Sequence, residues 1–370
     1  MDFVPIIDAV GEPNTIILGG AIVGALFGFA AQRSAFCTRA AVLDVTRGRD
    51  LKALATWAIG FSVALFGVQL MLSYGYVDAR ETRFFSTAQS LSGALVGGLA
   101  FGVGMVLTRG CVSRLLVLSA SGNLRAIYVS LVVAAVGFAT YAGILVPLRD
   151  FVGSFWSTSA IGGNDLLAHF GTSQETGMII GAVLLVFAFA LAIKAGISLW
   201  RLIGGAGVGL SIILGWYFTY TLSLQVFDPI QAESLSFIRP LATTSAMVAK
   251  AGDTAGLDQG VLIGALVAAF LASVLFGGFR IQTFGEEGTP SFLRYTIGGV
   301  LMGFGGILAV GCTIGAGFTG GSVLAVSSLV GLASMVSGAA IADRFVDRPQ
   351  TAAVEDKTYS RSGEAVSVAE

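Results

Sequence analysis

The chain has 370 residues, 55% of them hydrophobic and 12% charged, with a formal net charge of −1. Soluble domains carry about 25% charged residues, so an ordinary soluble protein is excluded, and a near-neutral chain without a basic run has no surface for nucleic acid. One histidine and three cysteines make neither a disulfide framework nor a zinc or haem donor set, so no cofactor is expected.

Residues 1–14 lack the positive n-region of a signal peptide and are expected to form an extracytoplasmic N-terminal segment. A helix crosses a bilayer with about 20 apolar residues. Nine runs approach that length: residues 15–31, 51–73, 91–107, 126–146, 176–193, 202–218, 261–279, 295–310 and 322–342. The predicted fold is an all-α polytopic membrane protein of about nine transmembrane helices. The membrane domain covers 15–342, with halves at about 15–146 and 202–342 linked by helix 176–193. Residues 343–370, charged and serine-containing, are expected to be a flexible cytoplasmic tail. No acidic residue is expected within the spans, which speaks against a carboxylate proton relay.

Lysine and arginine set orientation. Threading the nine spans places 16 basic residues on one side and 5 on the other, together the full 21. The N-terminus is therefore predicted outside and the C-terminus inside.

A repeat runs through these elements. "GALFGFAAQRSAFC" ends at Cys37, "GLAFGVGMVLTRGC" at Cys111 and "GVLMGFGGILAVGC" at Cys312; "GAGVGLSIILGWYF" ends at Phe218 in the same register. Glycines four residues apart are generic helix-packing signals. All three thiols in one repeat position are harder to explain as small buried filler. The first two copies descend from outside to inside and the last two ascend, so the halves are expected to be inverted, an arrangement that puts a transport path at the repeat interface. Cys37 and Cys111 should lie nearer the cytoplasm and Cys312 nearer the outside.

The segments after the cysteines are too short to span. They read as re-entrant pieces that break at Gly110 and Gly311, with Thr313 beside the last thiol. Such breaks aim backbone N–H groups and positive helix ends at a buried anion. A thiol is a soft, weak donor, suited to passing on a sulfur-bearing anion without trapping it. Arg39, Arg109 and Arg114 flank the inner thiols as candidate ligands; they also serve the positive-inside bias. The outer loop 221–258, with Arg239 and Lys250, reads as a connector, recruitment of an anion being the alternative. His169 reads as a loop or interfacial residue, and Trp57, Trp156, Trp200 and Trp216 as interface or packing residues.

The segments "FGFAAQRSAFCTRAAVLD", "GVGMVLTRGCVSRLL" and "GFGGILAVGCTIGAGFTGG" resemble the YeeE/YedE family of bacterial inner-membrane sulfur transporters. The resemblance implies an hourglass-shaped importer of thiosulfate that relays the anion by S–H hydrogen bonds, here from Cys312 to Cys111 to Cys37. It also implies a separate cytoplasmic sulfur carrier of the TusA type as partner. The alternative from another class is a membrane sulfurtransferase with Cys111 as a persulfide carrier; it lacks a visible base.

Overall fold

Long apolar runs in a lipid environment must satisfy their own backbone, and helices do this within one segment. The computed structural model describes residues 3–48, 50–226, 230–249, 255–286 and 289–347. The tail beyond residue 347 lies outside them, as do Arg49 and Lys250. The first half contains α1 (Val4–Val10), α2 (Glu12–Ser34), α3 (Thr38–Thr46), α4 (Lys52–Ser73), α5 (Arg83–Ser86), α6 (Leu91–Leu107), α7 (Val112–Ala120) and α8 (Leu124–Ala142). After α9 (Val146–Gly153) and α10 (Leu166–His169), α11 (Gln174–Ala195) leads to α12 (Leu199–Ser223) and α13 (Ile238–Ala249). Then follow α14 (Leu257–Leu275), α15 (Phe292–Leu308), a π-helical segment Thr313–Gly320, α16 (Val326–Ala342) and a π-turn Asp343–Asp347.

Nine helical stretches among the described residues are long and apolar enough to cross a membrane, four of them formed by a long helix and the short segment that follows it. They coincide with the nine runs read from the sequence, so the all-α polytopic architecture is as expected.

The repeated glycines seat helix on helix. A Cβ on Gly28 of α2 would lie 2.2 Å from the Ala265 carbonyl oxygen of α14, and one on Gly102 of α6 would lie 2.2 Å from the Met335 carbonyl oxygen of α16. Backbones this close exclude any side chain. Gly209 of α12 meets Gly60 of α4 in the same manner, and Gly303 of α15 meets Val133 and Val136 of α8. The packing is therefore α2 on α14, α12 on α4, α6 on α16 and α15 on α8, with α11 leaning on α4.

Asp343 and Asp347, placed in the mobile tail by sequence, are buried and helical. Asp347 accepts hydrogen bonds from Arg39 and Arg294, each at 2.5 Å, and Asp343 is ion-paired with Arg47. The last span thus ends in two buried carboxylates, contrary to the expectation of spans free of acid.

His169 is exposed, its ring 3.1 Å from the Gly163 carbonyl oxygen. Trp156 and Trp200 are exposed, while Trp216 is fully buried and packs against Phe84.

Candidate functional site

Three long helices end alike, two residues before a cysteine. Ala35, Arg109 and Val310 have φ of 52°, 60° and 62°, the left-handed region that disfavours side chains. The next N–H then reaches back five residues: Phe36 to the Ala31 carbonyl at 3.0 Å, Gly110 to Met105 at 3.1 Å and Gly311 to Gly306 at 2.9 Å. These bonds satisfy carbonyls that the helix end would leave open. The break expected at Gly110 and Gly311 thus falls one residue earlier, on the residue that takes the left-handed turn. Each cysteine is extended and begins a short helical segment: Cys37 begins α3, Cys111 begins α7 and Cys312 the π-helical segment.

The fourth copy departs from the sequence reading. Helix α12 runs unbroken through Phe218 to Ser223. The chain returns as an irregular stretch, residues 232–237, whose six residues are all buried. Hydroxyls satisfy part of its backbone: Thr219 donates to the Glu233 carbonyl at 2.5 Å and accepts from the Glu233 N–H at 3.1 Å, and Thr319 donates to the Leu235 carbonyl at 2.6 Å. Helix α13 follows at Ile238, so Phe237, not Phe218, stands where the other copies carry a thiol. Loop 221–258 is accordingly not a connector. The missed signal was spacing: Ser234 and Arg239 lie about Phe237 as Ser34 and Arg39 lie about Cys37.

The thiols converge. Cys111 and Cys312 are fully buried in one core cluster, and Cys37 is half-buried. The Cys37 and Cys111 side chains lie near one another, and the Cys111 sulfur lies 3.4 Å from Ser113 Oγ. The backbone N–H groups of Thr38 and Arg114 face the Cys111 sulfur; those of Ile314, Gly315 and Phe237 face the Cys312 sulfur. Cys312 lies close enough to Cys111 for electrostatic interaction. The beginnings of the short segments therefore point N–H groups at a shared interior, which suits an anion. Phe36, Trp57, Phe61 and Phe318 form an aromatic cluster with centroid separations of 5.2–5.6 Å, joining the first break to the π-helical segment.

The arginines separate. Arg114 lies near Cys37, and its Nη1 is buried without a hydrogen-bond partner. Arg109 is exposed, whereas the thiols are buried or half-buried. Arg39 is bound to Asp347, so its charge is already matched. Thr313 is fully buried with an unpartnered hydroxyl. Among the described residues, no group of histidine, cysteine and carboxylates could hold a metal ion.

A family model described as sulphur transport matches residues 33–341, a stretch that holds all three cysteines. Two relatives are similar over most of their length. The thiosulfate transporter TsuA of Spirochaeta thermophila is 28% identical over 330 residues, covering 85% of this chain and 94% of that protein. The thiosulfate transporter TsuA of Escherichia coli is 27% identical over 370 residues, covering 91% and 96%. The chain belongs to this sulphur-transport family, and is a multi-pass membrane transporter rather than an enzyme.

Proposed function

We propose that the chain imports thiosulfate, or a closely similar S–SO3 dianion, across the bacterial inner membrane, with its N-terminus outside and its C-terminus in the cytoplasm. The observation that carries this reading is the shared placement of Cys37, Cys111 and Cys312. Each follows a left-handed helix end and begins a short segment; Cys111 and Cys312 lie in one buried core, and half-buried Cys37 follows Phe36 of that core. A thiol can act as an S–H donor. A weak, soft donor holds the terminal sulfur of thiosulfate loosely, and several weak sites in series permit passage. The path runs from Cys312 to Cys111 to Cys37, past Gly311 and Thr313 on the outer side and past Gly110 and Arg114 on the inner side. Arg109 serves the cytoplasmic exit through its charge, Arg39 holds the exit segment through its pair with Asp347, and a separate TusA-type carrier receives the product there. The names of both relatives support the substrate.

An inverted two-fold relation between the halves accounts for the packing. Helix α2 sits on α14 as α12 sits on α4, and α6 sits on α16 as α15 sits on α8. Such an arrangement places a path at the interface of the repeats.

The test is uptake of labelled thiosulfate into proteoliposomes. Cys111→Ala and Cys312→Ala reduce uptake to that of empty vesicles, and serine at either position restores only a small part. Wild-type uptake by inserted Cys111→Ala protein rules the relay out. A persulfide trapped on Cys111 during turnover would instead identify a sulfurtransferase.

A further inference from the structure

A groove of about 470 Å³ runs between α7, α8, α13 and α14. Its walls are hydrophobic except at Ser119 and Ser130, and Ser119 donates to the Leu115 carbonyl of its own helix at 2.8 Å. Leu131 and Val267, on two of these walls, are 65% and 52% exposed, so the groove is open toward the bilayer. Bilayer chains cover a convex helix face loosely. A concave wall meets one acyl chain from several sides and gains more dispersion contacts with it.

Two polar features accompany the groove. Ser130 is 8% exposed, and its Oγ is buried without a partner. A buried hydroxyl left unpaired is unfavourable, and between hydrophobic walls an acceptor is supplied by the occupant. The second feature lies where α7 ends, at Ala120. Phe270 of the groove wall packs edge-on against Phe279, with centroids 5.9 Å apart, and the Arg280 N–H donates to the Ser121 carbonyl at 3.0 Å. Arg280 is thereby held beside the end of the groove. It is exposed and has no ion pair among the described residues. Arg125, at the same turn, is already matched by Glu286 at 3.0 Å and Thr289 at 2.7 Å.

A second groove of about 440 Å³, lined by Phe3, Thr15, Leu18 and Phe218 among others, is similarly apolar. The chain beside it, residues 1–14, carries Asp8 and Glu12 and no basic residue. Charge distinguishes the two grooves, and only the first has an unmatched cation at its end.

We propose that the groove between α7, α8, α13 and α14 binds an acyl chain of an anionic phospholipid, whose phosphate meets Arg280 and whose ester region accepts from Ser130. This end of the molecule is the one that the function proposed above places in the cytoplasm, where basic residues between membrane helices attract anionic headgroups. The site itself is independent of which anion is transported. Helix α7 begins at Cys111 and α13 follows Phe237, so a lipid held here braces two short segments against α14 from outside the path.

The test titrates purified protein in detergent with phosphatidylglycerol and with phosphatidylcholine of the same acyl chains, reading bound lipid by native mass spectrometry. Wild-type protein binds phosphatidylglycerol about fivefold more tightly than phosphatidylcholine. Arg280→Gln removes that preference. Ser130→Ala weakens both lipids alike by about threefold. Val267→Trp fills the groove from its exposed side and abolishes tight binding of both. Arg280 and Val267 are exposed, so these two variants keep the fold, seen as an unchanged unfolding temperature before lipid is added. A wild-type protein without preference for phosphatidylglycerol overturns the site. So does a preference that survives Arg280→Gln and Val267→Trp, which would mean that lipid adheres to the helix surface at large.

Discussion

Thr38 and Thr313 follow Cys37 and Cys312 directly, yet their hydroxyls have different surroundings. Thr38 Oγ1 accepts a hydrogen bond from Trp57 Nε1 at 3.2 Å, whereas Thr313 Oγ1 is buried without a partner. Valine keeps the shape of threonine and removes the hydroxyl. Thr38→Val should destabilise the protein by about 1 kcal/mol through the lost Trp57 hydrogen bond, read as a lower unfolding temperature in detergent. Thr313→Val should leave that temperature unchanged and lower thiosulfate uptake several-fold; unchanged uptake would remove Thr313 from the path. The thiols themselves were legible in the sequence because register alone distinguishes them. The buried stretch 232–237 was not, because it becomes notable only once distant segments have closed around it. Arg39 and Arg109 illustrate the converse. Proximity to a thiol in sequence made them candidates, but exposure of Arg109 to the surface and, for Arg39, the carboxylate of Asp347, 308 residues away, decide what each meets.

The helix breaks belong to the scale of elements. Left-handed backbone at a non-glycine residue costs roughly 1–2 kcal/mol, and Arg109 bears that cost with its side chain in the open. Arg109→Gly should therefore raise stability by about 1 kcal/mol, seen as a higher unfolding temperature, while lowering uptake through the lost charge at the exit. A fall in unfolding temperature would mean that the turn at residue 109 is not left-handed. Long spans were readable from length and hydropathy, and three of the four short segments were marked by cysteine. The fourth was missed because α12 carries its apolar pattern straight past Phe218. The true break at Phe237 lies instead in a stretch of serines and apolar side chains that resembles an exposed loop. What keeps it buried is tertiary: the hydroxyls of Thr219 and Thr319 satisfy carbonyls that have no helical partner.

Across the whole molecule, Arg39 and Arg239 stand two residues beyond Cys37 and Phe237, and each is held by carboxylates from distant elements. Arg239 is tied to Glu233 and Asp258. Arg39 is tied to Asp347, which also binds Arg294, while Arg47 is held by Asp343. The second cluster joins α3, α15 and the end of α16, so it fastens the segment that begins at Cys37 to the helix that leads to Cys312. Charges near the end of a chain read as solvated from sequence, and no local pattern reveals partners some 300 residues earlier. Arg39, Arg294 and Asp347 are 15%, 9% and 8% exposed, so water screens them little, and removing one member leaves buried charge uncompensated. Asp347→Asn should destabilise the protein by about 3 kcal/mol, and adding Arg39→Gln should recover part of that loss rather than add to it. The cycle formed by the wild type, both single variants and the double variant should give a coupling of at least about 1 kcal/mol. Strict additivity would show that the short helix after Cys37 is held by packing alone and that the ion pairs do not connect the two ends of the path.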